Sequence, residues 1–170
     1  MGIDFLQDIA LGGKGSIGER VQQIASRPDQ LYPDTDEGRA AIIADFTSII
    51  EEIDGGLDGV FNVRPKQGVK VERVPAFREK TAPGAYYNAP AFDGSRPGIF
   101  YINLRNTAEV AKFGMRTLAY HEAIPGHHFQ TTIQQELAGG RLSLGDAVKR
   151  LRTEVTGLHQ SQFARMCRIS

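Results

Sequence analysis

The sequence predicts an α+β fold, mostly helical with a small antiparallel sheet, and three observations predict it. Apolar residues recur at helical period in the first third, alternate at a period of two in the middle, and return to helical period towards the end. The 170 residues are enough to bury a core and fit a single domain over 1–170, or a piece of a larger one. No internal repeat or low-complexity tract interrupts that order.

The first helix is announced by its start signal. After a turn rich in glycine (Gly12, Gly13, Gly15), Ser16 with Glu19 three residues on makes a capping box. Val21, Ile24 and Ala25 supply an apolar stripe until Pro28 stops the helix. The Gly-Gly-Lys-Gly-Ser run lacks the spacing and the preceding strand of a phosphate loop. A longer helix opens at Asp34 and Glu37, carries Ala41, Ile42, Ala44, Phe46, Ile49, Ile50 and Ile53, and is expected to end at Gly55-Gly56.

The middle reads as strands. Val69, Val71 and Val74 alternate with charged residues, and Ala85-Tyr86-Tyr87 is a second extended piece. Asp93 to Gly98 has turn composition. Ile99 to Leu104, β-branched and aromatic, is the strongest strand in the chain. Asn106, with Glu109 completing a box, is expected to cap the next helix. On that helix Val110, Phe113, Gly114, Thr117, Leu118 and His121 share one face, which predicts a buried His121. A last amphipathic stretch runs from about Leu144 towards Phe163.

Composition excludes several function classes. Twenty basic residues balance twenty acidic ones, so nothing global attracts nucleic acid or an anionic membrane. From Arg141 onward six Lys or Arg face only Asp146 and Glu154, which reads as a solvated helix face before an anion-binding patch. The single cysteine, Cys167, offers neither an internal disulfide nor a thiolate cluster. No segment has the order of a signal peptide or the ~20 apolar residues that cross a bilayer. The chain as given is therefore expected to be soluble, and cytoplasmic as it stands, with its true compartment and a leader upstream of Met1 left open.

Chemistry concentrates in Tyr120-His-Glu-Ala-Ile-Pro-Gly-His-His-Phe129. In the common zinc-peptidase helix two histidines four residues apart share a face and one ion, and the glutamate after the first takes a proton from the attacking water. Here Pro125 stands four residues after His121, and His127 stands six after it. An ideal helix of ~3.6 residues per turn would rotate His127 off the face. His128 returns to the face but lies ~10.5 Å along the axis, too far for zinc bonds of ~2.1 Å. Proline and glycine suggest the resolution, because together they can bulge out of a helix and bring His127 back. Core histidines held by hydrogen bonds are the bland alternative.

The motif His-Glu-Ala-Ile-Pro-Gly-His-His, preceded by Asp-Gly-Ser-Arg-Pro-Gly-Ile-Phe-Tyr-Ile-Asn-Leu, resembles the bacterial family called domain of unknown function 885. That family is regarded as related to the glutamate-type zincin metallopeptidases. The match runs from roughly Gly15 to Leu137 and is strongest from Tyr86 to Gln130. The resemblance implies a zincin-like fold, of which this chain is expected to hold only part, with zinc as cofactor and a peptide as substrate. His121 and His127 would be ligands and Glu122 the general base. The strand Ile99 to Leu104 would be the edge that pairs with substrate. Tyr86 and Tyr87 are candidates for stabilising the oxyanion, with Arg96, Tyr101, Asn103 and His128 as substrate-binding candidates. For Tyr86, Tyr87 and Arg96, packing or turn stabilisation is the competing role.

The chain departs from the family at its C-terminal end. Family members carry a Glu-Gly-Trp-type motif downstream that supplies the third ligand, and this chain has no tryptophan. Glu154 is the candidate substitute, while Glu136 is expected to point outward. A truncated product, a fragment of a larger enzyme and a shortened relative all fit that ending. The rival reading is a non-catalytic remnant with weak or no metal, self-associating through apolar surface left uncovered. A homo-oligomer is expected on that ground.

Overall fold

Ser16 opens the first helix as its capping box predicts. In the computed structural model, which describes residues 15–139, α1 spans Ile17–Ala25. The Ser16 hydroxyl accepts the Glu19 N–H at 3.3 Å, and the Glu19 carboxylate accepts the Ser16 N–H at 2.7 Å. Pro28 begins a short 3-10 turn (Pro28–Gln30) and so ends the first helical region. The stretch from Leu144 to Phe163, with Glu154 and Cys167, lies outside the described residues.

The second helix, α2, spans Asp36–Gly56, and Thr35 caps it by accepting the Gly38 N–H at 3.2 Å. Ile42, Phe46, Ile50 and Ile53 form its buried line at helical spacing. The glycine pair lies inside the last turn, and buried Leu57 follows as the cap.

Three strands follow: β1 (Val69–Arg73), β2 (Ala85–Asn88) and β3 (Gly98–Ile102), in the spatial order β1-β3-β2. The sheet is mixed, not antiparallel as the sequence suggested, because β1 runs parallel to β3 while β2 runs antiparallel to it. Residues 74–97 separate β1 from β3 and contain β2, which is length enough for a parallel return. A second correction concerns β3 itself. Expected at an edge, it is the central strand, paired on both sides. Its composition explains this, since Phe100 and Ile102 are fully buried and gain ~1.5–3 kcal/mol each by leaving water. The edges fall to charged β1 and short β2.

Register then sorts the side chains. Ala85 faces Ile102 and Tyr87 faces Phe100, so these four share the face that packs on the helices. Phe46 of α2 meets Phe100 edge-on at 5.3 Å. Tyr86 and Tyr101 share the opposite face and stack at 5.0 Å.

Asn106 caps only a 3-10 turn (Thr107–Glu109), accepting the Ala108 N–H at 3.0 Å. Glu109 does not complete the expected box. Its carboxylate is held by the Arg105 guanidinium at 2.9 Å, and the helix starts later. That helix, α3, spans Lys112–Glu122, and α4 spans His127–Gly139. Among the described residues, no helix is long and apolar enough to cross a membrane.

Candidate metal centre

The break between α3 and α4 builds the site. Pro125 removes a helix donor, and the Ile124–Pro125 peptide is cis. Gly126 then folds back onto the end of α3. A Cβ there would lie 1.9 Å from the His121 carbonyl oxygen and 2.3 Å from that of Tyr120, so only glycine allows the approach. The fold-back starts α4 at His127. The imidazoles of His121 and His127 consequently face each other at 4.7 Å between centroids, 80° apart in plane. An unbroken helix would have left His127 about 120° around the axis from His121.

Burial reverses one expectation. His121 is exposed, and Glu122 beside it is buried at 9% exposure. The inward line of α3 is Met115, Ala119 and Glu122. The face bearing Phe113, Thr117, Leu118 and His121 lines an open apolar cavity of about 790 Å³. Periodicity identified a real apolar face, but a local pattern carries no information on whether a neighbour fills the space opposite it.

Glu122 connects that cavity to a second one of about 390 Å³, where it is joined by His127, Thr131 and the β2 residues Ala85, Tyr86 and Tyr87. Among the described residues no strand covers the outer edge of β2. The Asn103 N–H donates to the Gly84 carbonyl at 2.8 Å, which sets the phase of the antiparallel ladder. Gly84, Tyr86 and Asn88 thus bond to β3, and the backbone groups of Ala85 and Tyr87 point outward.

The two tyrosines divide by face. Tyr86 stacks on Tyr101, away from the helices. The Tyr87 hydroxyl lies 2.8 Å from Nδ1 of His128 and 3.4 Å from Oγ1 of Thr132. His128 is 1% exposed, with Nε2 3.0 Å from the Gln67 carbonyl oxygen. A carbonyl only accepts, so Nε2 carries the proton. Burial lowers the His128 pKa below its ordinary 6.5 and raises that of Tyr87, which favours the neutral form of each. Nδ1 therefore accepts, and the Tyr87 phenol donates to it.

The remaining candidates serve the scaffold. Arg96 donates to the carbonyls of Ala89 at 2.7 Å and Pro97 at 3.2 Å, bracing the turn before β3. The buried Asn103 amide donates to the Glu79 and Ala82 carbonyls at 2.8 and 3.1 Å and accepts the Arg105 N–H at 3.1 Å. His128 and Asn103, read from sequence as substrate contacts, are turned into the core. Glu136, expected outward, accepts the Lys66 N–H at 2.7 Å. Sequence reasoning missed Thr132 and Gly98. Thr132 was findable, four residues after His128 on a helix. Gly98 leaves no pattern at all.

The sequence profile of the family described as "bacterial protein of unknown function (DUF885)" matches residues 5–143. Among solved structures, a chain described as "the putative lipoprotein from Colwellia psychrerythraea" is 40% identical, with a TM-score of 0.72 over 74% of this chain. The match takes in 22% of that protein's chain, so the present chain spans about a fifth of its length. No curated protein matches.

Proposed function

Because the chain belongs to the DUF885 family of bacterial proteins, we propose that its centre is the core of a zinc-dependent metallopeptidase site. One observation carries the reading: the His121 and His127 rings converge at 4.7 Å, and each lines a cavity that Glu122 also lines. Two solvent-facing imidazoles at that separation suit a borderline-soft cation such as zinc. Among the described residues no group of three or more His, Cys, Asp and Glu side chains is placed to hold a metal. Closure of the site then needs water or a ligand from elsewhere, for which Glu154 is the candidate within this sequence.

In this reading His121 and His127 hold the ion. Bound zinc would polarise the scissile carbonyl and bring the pKa of a water near ~7. Glu122, set at the junction of the two cavities, takes the proton of the attacking water and passes it to the leaving amine. The substrate backbone pairs with β2, whose outward Ala85 and Tyr87 groups border the Glu122 cavity. The edge role first given to β3 moves to β2. Of the two oxyanion candidates, Tyr87 has its hydroxyl committed to His128, which leaves Tyr86, stacked on Tyr101 and lining the Glu122 cavity, as the candidate in this reading.

The test is the zinc content of the purified 170-residue chain, set beside hydrolysis of a mixed peptide pool. Near-stoichiometric zinc with metal-dependent cleavage is expected. A chain that takes up no zinc overturns the reading and favours the non-catalytic remnant.

A further inference from the structure

The first turn of α4 carries two histidines with opposite surroundings. His127 is exposed and has its ring contact with His121, whereas His128 is among the most buried side chains in the structure. His128 is tied to three separate places. Its Nδ1 takes the Tyr87 hydroxyl from β2, its Nε2 donates to the Gln67 carbonyl before β1, and Thr132 one turn on lies 3.2 Å from Nδ1. Space for this meeting is made by Gly98 at the start of β3. A Cβ on Gly98 would lie 2.5 Å from the Tyr87 hydroxyl and 2.7 Å from His128 Nδ1. The contact therefore joins β2, β3 and the segment leading into β1 to the helix that bears His127.

We propose that Tyr87 and His128 form a positioning latch, which holds the first turn of α4 on the sheet and thereby presents His127 to His121. The proposal rests on the reading of His121 and His127 as a metal pair. Adjacent Cα atoms are ~3.8 Å apart across a rigid peptide, so anchoring His128 restricts where its neighbour can stand. Partners that orient metal-binding groups typically change metal affinity by ~10–100-fold when removed. Tyr87 and His128 are positioning residues on this account and touch no reacting atom. An oxyanion donor at Tyr87 would instead affect turnover and leave metal affinity alone.

Two variants of the full chain test it. Tyr87→Phe removes the donated proton, and Gly98→Ala drives a methyl group between the two latch atoms, so either can stand in if the other fails to fold. The first measurement is the nuclear Overhauser contact between the His121 and His127 rings in the metal-free chain, taken at a temperature where melting curves show the variant folded. The second is zinc affinity by competition with a chelator. The expected result is loss of the ring contact together with a zinc affinity lower by ~10-fold or more. A folded variant that keeps the ring contact overturns the latch. Loss of the contact with unchanged zinc affinity also overturns it. If the parent chain binds no zinc, the metal reading fails separately, and the ring contact still decides whether the latch positions His127.

Discussion

The His121 and His127 imidazoles lie 4.7 Å apart, near edge-to-face, although they stand six positions apart in a region that is helical on both sides. Pro125 ends one helix and Gly126 lets the chain fold against its last turn, so the next begins with His127 in place. Loss of either ring should leave a single imidazole with little hold on zinc. His121→Ala and His127→Ala are each expected to weaken zinc binding by on the order of 100-fold or more, read by titration calorimetry. Equal loss from both is the signature of a shared ion. Loss from only one would separate them.

Glu122 should matter for chemistry and not for metal. Glu122→Gln keeps the shape of the buried side chain and removes its capacity to take a proton. Peptide cleavage is expected to fall by roughly 10²–10⁴-fold with zinc content unchanged. A variant that cleaves as fast as the parent would remove Glu122 from the mechanism.

Gly126 is the most constrained position in the segment. The atoms that a Cβ would strike, 1.9 and 2.3 Å away, belong to the backbone of α3 and cannot swing aside. Gly126→Ala should cost about 1–3 kcal/mol in denaturant unfolding and lower zinc affinity at the same time. A stable variant with normal zinc affinity would show that the fold-back is not what joins the histidines.

Substrate pairing along β2 leaves a trace in amide exchange. When an uncleaved peptide is added to Glu122→Gln protein, the outward amides of Ala85 and Tyr87 are expected to slow. The β1 edge, on the far side of β3, should exchange as before. Protection at β1 with none at β2 would place the peptide elsewhere.

Glu79 predicts a pH dependence of the scaffold. Arg73 donates to its carboxylate at 2.6 Å and holds its pKa below the ordinary 4.5, against the opposing effect of burial. A depressed carboxyl pKa stabilises the fold above about pH 4.5, and that contribution disappears as pH falls through the folded value. Glu79→Gln should cost no more than about 1 kcal/mol at neutral pH, because it removes the charge that Arg73 pairs with while that guanidinium stays partly exposed and screened by solvent. Below the folded pKa the two proteins should converge. A constant difference down to low pH would mean that the ion pair is not the source.

Part of this architecture was legible in the sequence. The Ser16–Glu19 box, the long apolar helix around Phe46 and the three strands were marked by signals that act within a few residues. The cluster of His121, Glu122 and His127 was equally visible, as was the role of Pro125 and Gly126, since a break at that point is a local backbone event. The errors share a different cause. A helical apolar face at Phe113, Thr117 and Leu118 says nothing of what lies across from it, so His121 was read as buried when that face borders an open cavity.

Sequence alone determined the main element types and the identity of the histidine–glutamate cluster, because capping, periodicity and the proline–glycine break are short-range physics, and the motif around that cluster carried the resemblance to the family. Tertiary structure alone decided that β3 is central, which face of the sheet Tyr86 and Tyr87 each take, and that His128 is an anchor. These depend on strand register and on the meeting of Tyr87 and His128, 41 residues apart in the chain, over Gly98. Contacts of that separation exist only once the sheet has formed, and no pattern within a single segment encodes them.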